Sequence, residues 1–522
     1  MRRIVVSAAQ IRSRIMGLGS PLAVSSSGTD ETTQMAFAGN VADHAKEIGW
    51  TTLAQAGTPL ASIVSLKLFT SFLAPGEYGI LAVLLSCVVA ITTVAIVPMS
   101  GPGTTLLHEW KKESRVGEFT GTLAVFYAAL AVLSGVVILI AATLTARGWT
   151  RAVAITAGCF LCMELVKSPV MTLTNVARQR RRYALLSFLD GWGKLGLACG
   201  FMALAGRFVT PVVLGYAANS AVVALLGWCT FVRSIPGAQA VARAKLFSHS
   251  LLLTLVRRGA PYFCIGLANW VMSLSDRVLL GALAPIQMAG VYTAGYQVAS
   301  LLPLLLYSTV GMFVFPLIYQ AYAESPAEGA RLIGQSMGYM LWLLIPVTAG
   351  TVLARGWLVQ HFARHGYEAG SAVVAWVAPA LALNVLVSLT AMPFWLKDKS
   401  LNYLALAGVA AVFNVAFNAF YIPRMGFKAA AISTLATYAL LFAGTLVAGR
   451  KLILWKISRV HLWAACSGSL AALIFYGLLA ARHVSKPAEL ILAAAMYFMV
   501  SGGTLLLLDP RCRGVVLAIS RT

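Results

Sequence analysis

The sequence predicts an all-α polytopic membrane protein of about 14 spanning helices: two six-helix lobes related by an internal repeat, followed by two further helices. Three observations predict it. Of 522 residues, 59% are hydrophobic and 11% charged, whereas a soluble domain has roughly 45–50% apolar and about 25% charged residues. Apolar runs of about 20 residues follow one another along nearly the whole chain and leave no gap long enough for a soluble domain. Two short motifs also recur in the second half at nearly the same offset.

The spans are predicted at 52–73, 78–98, 119–144, 152–173, 185–206, 209–231, 260–283, 290–315, 334–354, 370–395, 401–422, 429–448, 461–481 and 488–508. Their length and the lack of strict alternation argue for helices over barrel strands. Residues 1–47 hold no apolar run long enough for a signal-peptide core. With Gly, Ser and Thr crowding 17–40, they read as a disordered cytoplasmic tail. Residues 50–232 then form an N-lobe, 233–259 a cytoplasmic linker, 260–450 a C-lobe, 461–508 the last two spans and 509–522 a cytoplasmic tail.

The chain carries 40 Lys and Arg against 17 Asp and Glu, a formal net charge of +23. With the N-terminus inside, 27 of the 40 fall in inner segments, including the run Arg178, Arg180, Arg181, Arg182. The bias sets both termini in the cytoplasm, so most of the charge is topology rather than cargo recognition. The basic runs are short and scattered, which excludes nucleic acid as a partner. Arg178 to Arg182 read first as a solvated positive-inside loop; the alternative is contact with anionic lipid headgroups or with an incoming pyrophosphate.

The repeat is read from two matches. Lys67 stands seven residues before Ala74 in the run ending Leu73-Ala74-Pro75, and Arg277 stands seven before Ala284 in Leu283-Ala284-Pro285, an offset of 210. Ala146-Arg147-Gly148-Trp149 recurs as Ala354-Arg355-Gly356-Trp357, an offset of 208. Two halves of six helices keep the same orientation, which places a cleft between lobes and a substrate site near mid-membrane.

The turn Leu73-Ala74-Pro75-Gly76-Glu77-Tyr78-Gly79, its partial echo Pro423-Arg424-Met425-Gly426 before Ala429, Ala430 and Ala431, and the twelve-plus-two helix count resemble the polysaccharide-transport flippases. These belong to the multidrug, oligosaccharidyl-lipid and polysaccharide exporter superfamily. The resemblance spans roughly residues 50–450. It implies alternating access, a bacterial inner membrane and undecaprenyl-pyrophosphate-linked sugar units as cargo. A polysaccharide polymerase and export machinery are the protein partners it implies.

Seven charges remain inside the apolar spans: Lys67, Glu164, Lys167, Asp190, Lys194, Asp276 and Arg277. A charge at a helix centre costs roughly 2.5–3.5 kcal/mol on insertion scales, so such residues face an interior or a water-filled cavity. Lys67 and Arg277, at matching places of the repeat, are the candidate substrate-binding cations. Arg offers a diphosphate a bidentate fork and Lys a point charge. The competing reading is that either snorkels outward or pairs within its lobe. Glu164 with Lys167 and Asp190 with Lys194 have i,i+3 and i,i+4 spacing, so each pair can neutralise itself on one helix face. Since their spans are consecutive, all four could also join in one network lining the cleft or coupling an ion. Asp276 points about 100° away from Arg277 and needs another partner; it is a candidate for proton or sodium coupling.

Other motifs carry less. Gly191-Trp192-Gly193-Lys194-Leu195-Gly196 fits a dinucleotide fingerprint but lies within an apolar helix with no preceding strand, so helix packing explains it better, with Gly196 and Gly200 at close-packing spacing. No Walker sequence is present, no cofactor is expected and the chain does not read as an enzyme. Cys159 and Cys162 are read as small apolar filler, and His361 with His365 lacks further ligands for zinc. Three other functions compete. A polymerase or ligase needs a larger outer domain than the loop at 355–369, and a drug or cation exporter of the same superfamily needs an acidic cleft. A lipid II flippase shares the helix count and a cationic cavity.

Overall fold

The computed structural model describes residues 57, 60–112, 116–144, 148–177, 179–234, 247–481 and 486–508. The tails at 1–47 and 509–522, and 235–246 of the linker, lie outside the described residues. The helices in chain order are α1 (Leu60–Phe72), α2 (Pro75–Lys112), α3 (Val116–Leu144), α4 (Gly148–Val176), α5 (Arg180–Ala205) and α6 (Val209–Ser234). They continue with α7 (His249–Leu283), α8 (Ile286–Thr309), α9 (Phe315–Glu324), α10 (Pro326–Leu353), α11 (Arg355–Phe362) and α12 (Gly370–Thr390). The last are α13 (Met392–Leu396), α14 (Ser400–Met425), α15 (Phe427–Leu452), α16 (Arg459–Ala481) and α17 (Lys486–Leu508).

Twelve of the described helices are long and apolar enough to cross a membrane. The other two expected spans are α1, which is short, and α5, whose hydropathy is lowered by Asp190, Lys194 and the arginines at its start. Helices are the form in which so apolar a chain satisfies its backbone within itself. Proline marks several boundaries: Pro75 opens α2, where its missing N–H costs nothing, and Pro285 precedes α8. Ser248 caps α7 by accepting from the Leu251 N–H. Gly426, at φ 58° in the left-handed region, lets the chain reverse between α14 and α15.

The chain divides into two compact units. The smaller holds α9, α10, α16 and α17, so the stretch read as one lobe over 260–450 is shared between the units. Within it, Gly338 lets α10 approach the His461 ring on α16, and the Tyr497 hydroxyl of α17 donates to the Trp342 carbonyl at 2.6 Å. The larger unit holds α1–α8 and α11–α15. In its first half α4, α5 and α6 pack together: a Cβ on Gly215 would overlap the Ala198 backbone, so α5 and α6 cross closely there. Gly196 and Gly200, expected at such a crossing, face open space instead. In its second half α12 packs on α8 and α15, with Ala429, Ala430 and Ala431 fully buried at the start of α15.

The two halves meet where α2 lies against α7 and α8. Gly79 and Gly290 face each other there. A Cβ on Gly79 would sit on the Ile286 carbonyl oxygen, and one on Gly290 would sit on that of Pro75. The contact is reciprocal, as a two-fold relation requires, because Pro75 and Ile286 open their helices and each glycine lies four residues further on. This register relates the halves by 211 residues, one more than the sequence offset at Lys67 and Arg277. The counterpart of Arg277 is then Leu66, and both are buried at 5% and 1% exposure. Lys67 lies one residue on, about 100° around the helix, and is exposed. The second sequence match, at 146–149, falls partly outside the described residues.

Candidate functional site

Glu164, Lys167, Asp190 and Lys194 form one network in the first half. Lys167 Nζ lies 2.7 Å from Glu164 Oε1 and 2.8 Å from Asp190 Oδ1. Lys194 Nζ lies 2.7 Å from Glu164 Oε1 and 3.4 Å from Asp190 Oδ1. Each ammonium thus bridges both carboxylates. For Lys194 the shorter contact crosses between helices, so of the two sequence readings the structure adopts the joint network. It does so because α4 and α5 converge on α6. From α6, Ser220 donates to Glu164 at 2.7 Å and the Asn219 amide donates to the Asp190 carbonyl at 3.2 Å. Two positive and two negative charges leave the cluster neutral, which is how buried charges are tolerated.

The cluster reaches a cavity of about 350 Å³, lined among others by Ser65, Tyr183, Ser187, Asp190, Lys194 and Tyr216. The Lys194 ammonium lies 5.5 Å from the Phe160 ring centre and 5.9 Å from that of Tyr216. These rings shield the cation from the apolar surroundings while leaving it at the cavity wall. The cavity therefore offers hydroxyls, one carboxylate and one ammonium, all within the first half.

Asp276 and Arg277 part company as the helix geometry requires. Asp276 is wholly buried and accepts from the Tyr292 hydroxyl at 2.6 Å, the Asn418 amide at 2.6 Å and the Thr434 hydroxyl at 2.8 Å. Its expected partner is thus a set of neutral donors on α8, α14 and α15. Asn414, one helical turn before Asn418, extends this chain to Ser275 and Thr437. The Asn418 side-chain oxygen is itself buried without a hydrogen-bond partner among the described residues. These residues escaped the sequence reading because they are uncharged, although two asparagines at i,i+4 spacing within an apolar span are a polar signal.

Arg277 donates from one terminal nitrogen to the Ser273 carbonyl at 2.9 Å. Its guanidinium carbon stands 4.4 Å from the Tyr296 ring centre and 5.7 Å from that of Tyr292. No carboxylate among the described residues forms an ion pair with it. Arg277 is therefore a buried cation held by tyrosine faces and one carbonyl, with donors left for an anion. Lys67 is placed differently: its ammonium donates to the His361 carbonyl at the end of α11. The two candidate cations thus occupy unlike surroundings, which follows from the one-residue shift in register.

The remaining residues singled out in sequence have local roles. The Cys162 thiol donates to the Ala131 carbonyl at 3.1 Å and Cys159 is exposed. His361 stacks on Trp357 with ring centres 5.0 Å apart, and His365 meets Glu368 at 3.2 Å. Arg180 and Arg182 donate to Asn175 and Gln179 at the α4–α5 turn, and Arg178 lies outside the described residues.

Residues 44–322 match the protein family described as "Polysaccharide biosynthesis protein". No curated protein matches the chain. Among solved structures, the chain resembles a lipid II flippase, MurJ, in an inward closed conformation, with 11% identity, 88% of this chain and 98% of that chain covered, and a TM-score of 0.69. It also resembles a multidrug resistance MATE family transporter of the MOP superfamily. The inward-facing form has 15% identity, covers 77% of this chain and 97% of that one, and has a TM-score of 0.61. The outward-facing form has 15% identity, covers 78% and 95%, and has a TM-score of 0.53. The fold is that of these transporters.

Proposed function

Because the chain belongs to the polysaccharide biosynthesis protein family, which matches more than half of its length, we propose that it is a flippase for undecaprenyl-pyrophosphate-linked oligosaccharide. It takes the lipid-linked unit from the inner leaflet of a bacterial inner membrane and releases it outside by rocking its two lobes. The lipid tail stays in the bilayer while the sugar passes between the lobes, and both termini lie in the cytoplasm. A polymerase and export machinery take the product. The observation that carries this reading is Arg277, a buried guanidinium without an ion-pair partner among the described residues. Such a group is costly to keep in an apolar span and is suited to bidentate binding of a diphosphate. The likeness to the MurJ fold supports the same class of cargo.

The test is flipping of a fluorescent undecaprenyl-pyrophosphate-linked oligosaccharide by the purified protein in liposomes, with lipid II assayed in parallel. The oligosaccharide should cross at least about tenfold faster than in protein-free vesicles, a barrier reduction of about 1.4 kcal/mol. Preferential flipping of lipid II would replace the cargo, and acceleration of neither would remove the flippase reading.

Asp276 is the proposed coupling site. A buried carboxylate held by neutral donors, in a network where the Asn418 side-chain oxygen has no hydrogen-bond partner among the described residues, has the chemistry to take up a proton or a sodium ion. An imposed proton or sodium gradient should accelerate flipping by the native protein and leave Asp276→Asn unaffected. Flipping that persists unchanged after both gradients are collapsed would overturn the coupling.

A further inference from the structure

The end of the larger unit at which α1 turns into α2 and α7 into α8 is closed by contacts of one kind. The last carbonyls of a helix have no partner within it. At the end of α1 they are served by groups from the far half of the chain. Arg364 donates to the Ser71 carbonyl at 3.2 Å and the Tyr367 hydroxyl donates to the Leu73 carbonyl at 3.0 Å. In the opposite sense, Lys67 on α1 donates to the His361 carbonyl. Tyr367 is fully buried, with its ring edge-on to Tyr78 at 5.9 Å.

The segment that supplies these groups is braced by itself. Gly366 takes φ 98°, which turns the chain over the ring of Pro75. Glu368 accepts from its own backbone N–H and, at 2.8 Å, from that of Gly366, and this holds its carboxyl below the usual range. Beneath this segment lies the Gly79–Gly290 crossing, where the two halves touch backbone to backbone. Three hydrogen bonds to carbonyls and one glycine crossing therefore span the same seam.

We infer that residues 361–367 are a latch on the end of α1, and that Lys67 is the residue through which anionic cargo releases it. Every bond of the latch ends on a backbone carbonyl, which water can serve equally well once the seam parts, so opening leaves no buried polar group unpaired. Lys67 is the one latch donor that carries a charge on the first half. A diphosphate offers its ammonium a full negative charge in place of a carbonyl dipole and so draws it from His361. Lys67 is then a gating residue and Arg277 the buried holding residue, which accounts for their unlike surroundings. The inference rests on the two-lobe alternating-access reading, and its test follows lobe separation rather than transport.

Spin labels at Ala205→Cys and Lys428→Cys, in a background free of other cysteines, report the separation of the two halves at this end. Both positions are exposed and outside the latch. In apo protein the distance distribution should have one short population. Arg364→Ala with Tyr367→Phe should add a longer one, raising the open-to-closed ratio about tenfold for two hydrogen bonds. Vesicles containing undecaprenyl diphosphate should lengthen the distance in the native sequence. Lys67→Met, which lacks the third latch bond, should already show part of the longer population in apo protein and should not respond further to the diphosphate. Melting temperatures of all variants should stay near that of the parent, since Tyr367→Phe keeps its ring. An unchanged distribution in the double variant would reduce the latch to loop packing and overturn it. Opening of the double variant without any response of the native sequence to diphosphate would overturn the role of Lys67. In either case, cargo flipping in the liposome assay would leave the flippase reading standing.

Discussion

Replacing Glu164 by Ala is expected to destabilise the protein by about 3–5 kcal/mol, the usual consequence of leaving a buried charge uncompensated. Glu164 is the closest carboxylate partner of both Lys167 and Lys194, at 2.7 Å from each. Without it, two ammoniums share Asp190 in surroundings where Ser220 also loses its acceptor. Removing a cation at the same time should restore neutrality, so Glu164→Ala with Lys194→Met should recover more than half of the loss. Thermal unfolding in detergent reads both variants. A single-variant cost below about 1 kcal/mol, the level of an exposed pair, would show that the cluster is solvated rather than buried.

Arg277→Ala is expected to slow flipping of the lipid-linked oligosaccharide by about 10- to 100-fold, the equivalent of a charge-assisted hydrogen bond worth about 1.5–3 kcal/mol. Arg277→Lys should fall between, because an ammonium keeps the charge and loses the fork. Lys67→Ala should slow flipping as well, and the two together should be at least as slow as either alone. Binding of the cargo separates the roles: Arg277→Ala should weaken it, since the guanidinium is the holding group, whereas Lys67→Ala should act mainly on the rate. Undiminished flipping by the double variant, inserted and folded as the parent is, would remove the diphosphate-binding mechanism.

Most of the fold was legible because the bilayer imposes a length on every span. The run-length pattern placed every long helix but not all of the ends: α2 runs to Lys112 where an end at 98 was expected, and α7 starts at His249 where 260 was expected. The helices α1 and α5 were recovered although one is short and the other charged. The repeat was legible from the Leu-Ala-Pro turns, but its register was not. Two matching cations at an offset of 210 were a stronger pattern in sequence than two glycines at 211, and only the reciprocal Gly79–Gly290 contact identifies which pairing the helices use. In the candidate site, the charged residues stood out against an apolar background, whereas Asn414, Asn418, Thr434 and the tyrosines beneath Arg277 did not, since neutral polar residues are common in such spans.

What the sequence determined by itself is the set of long apolar helices and the few charges that an apolar span must account for. Each follows from local composition, because the cost of burying a polar group is paid residue by residue wherever the neighbours lie. The tertiary structure decided the partners: Lys194 reaches Glu164 on another helix, Asp276 rests among neutral donors, and Lys67 meets a carbonyl of the opposite half while Arg277 lies over tyrosine rings. Partner choice depends on which faces of non-adjacent helices meet. One residue of helix register turns a side chain by about 100°, more than enough to exchange a buried site for an exposed seam.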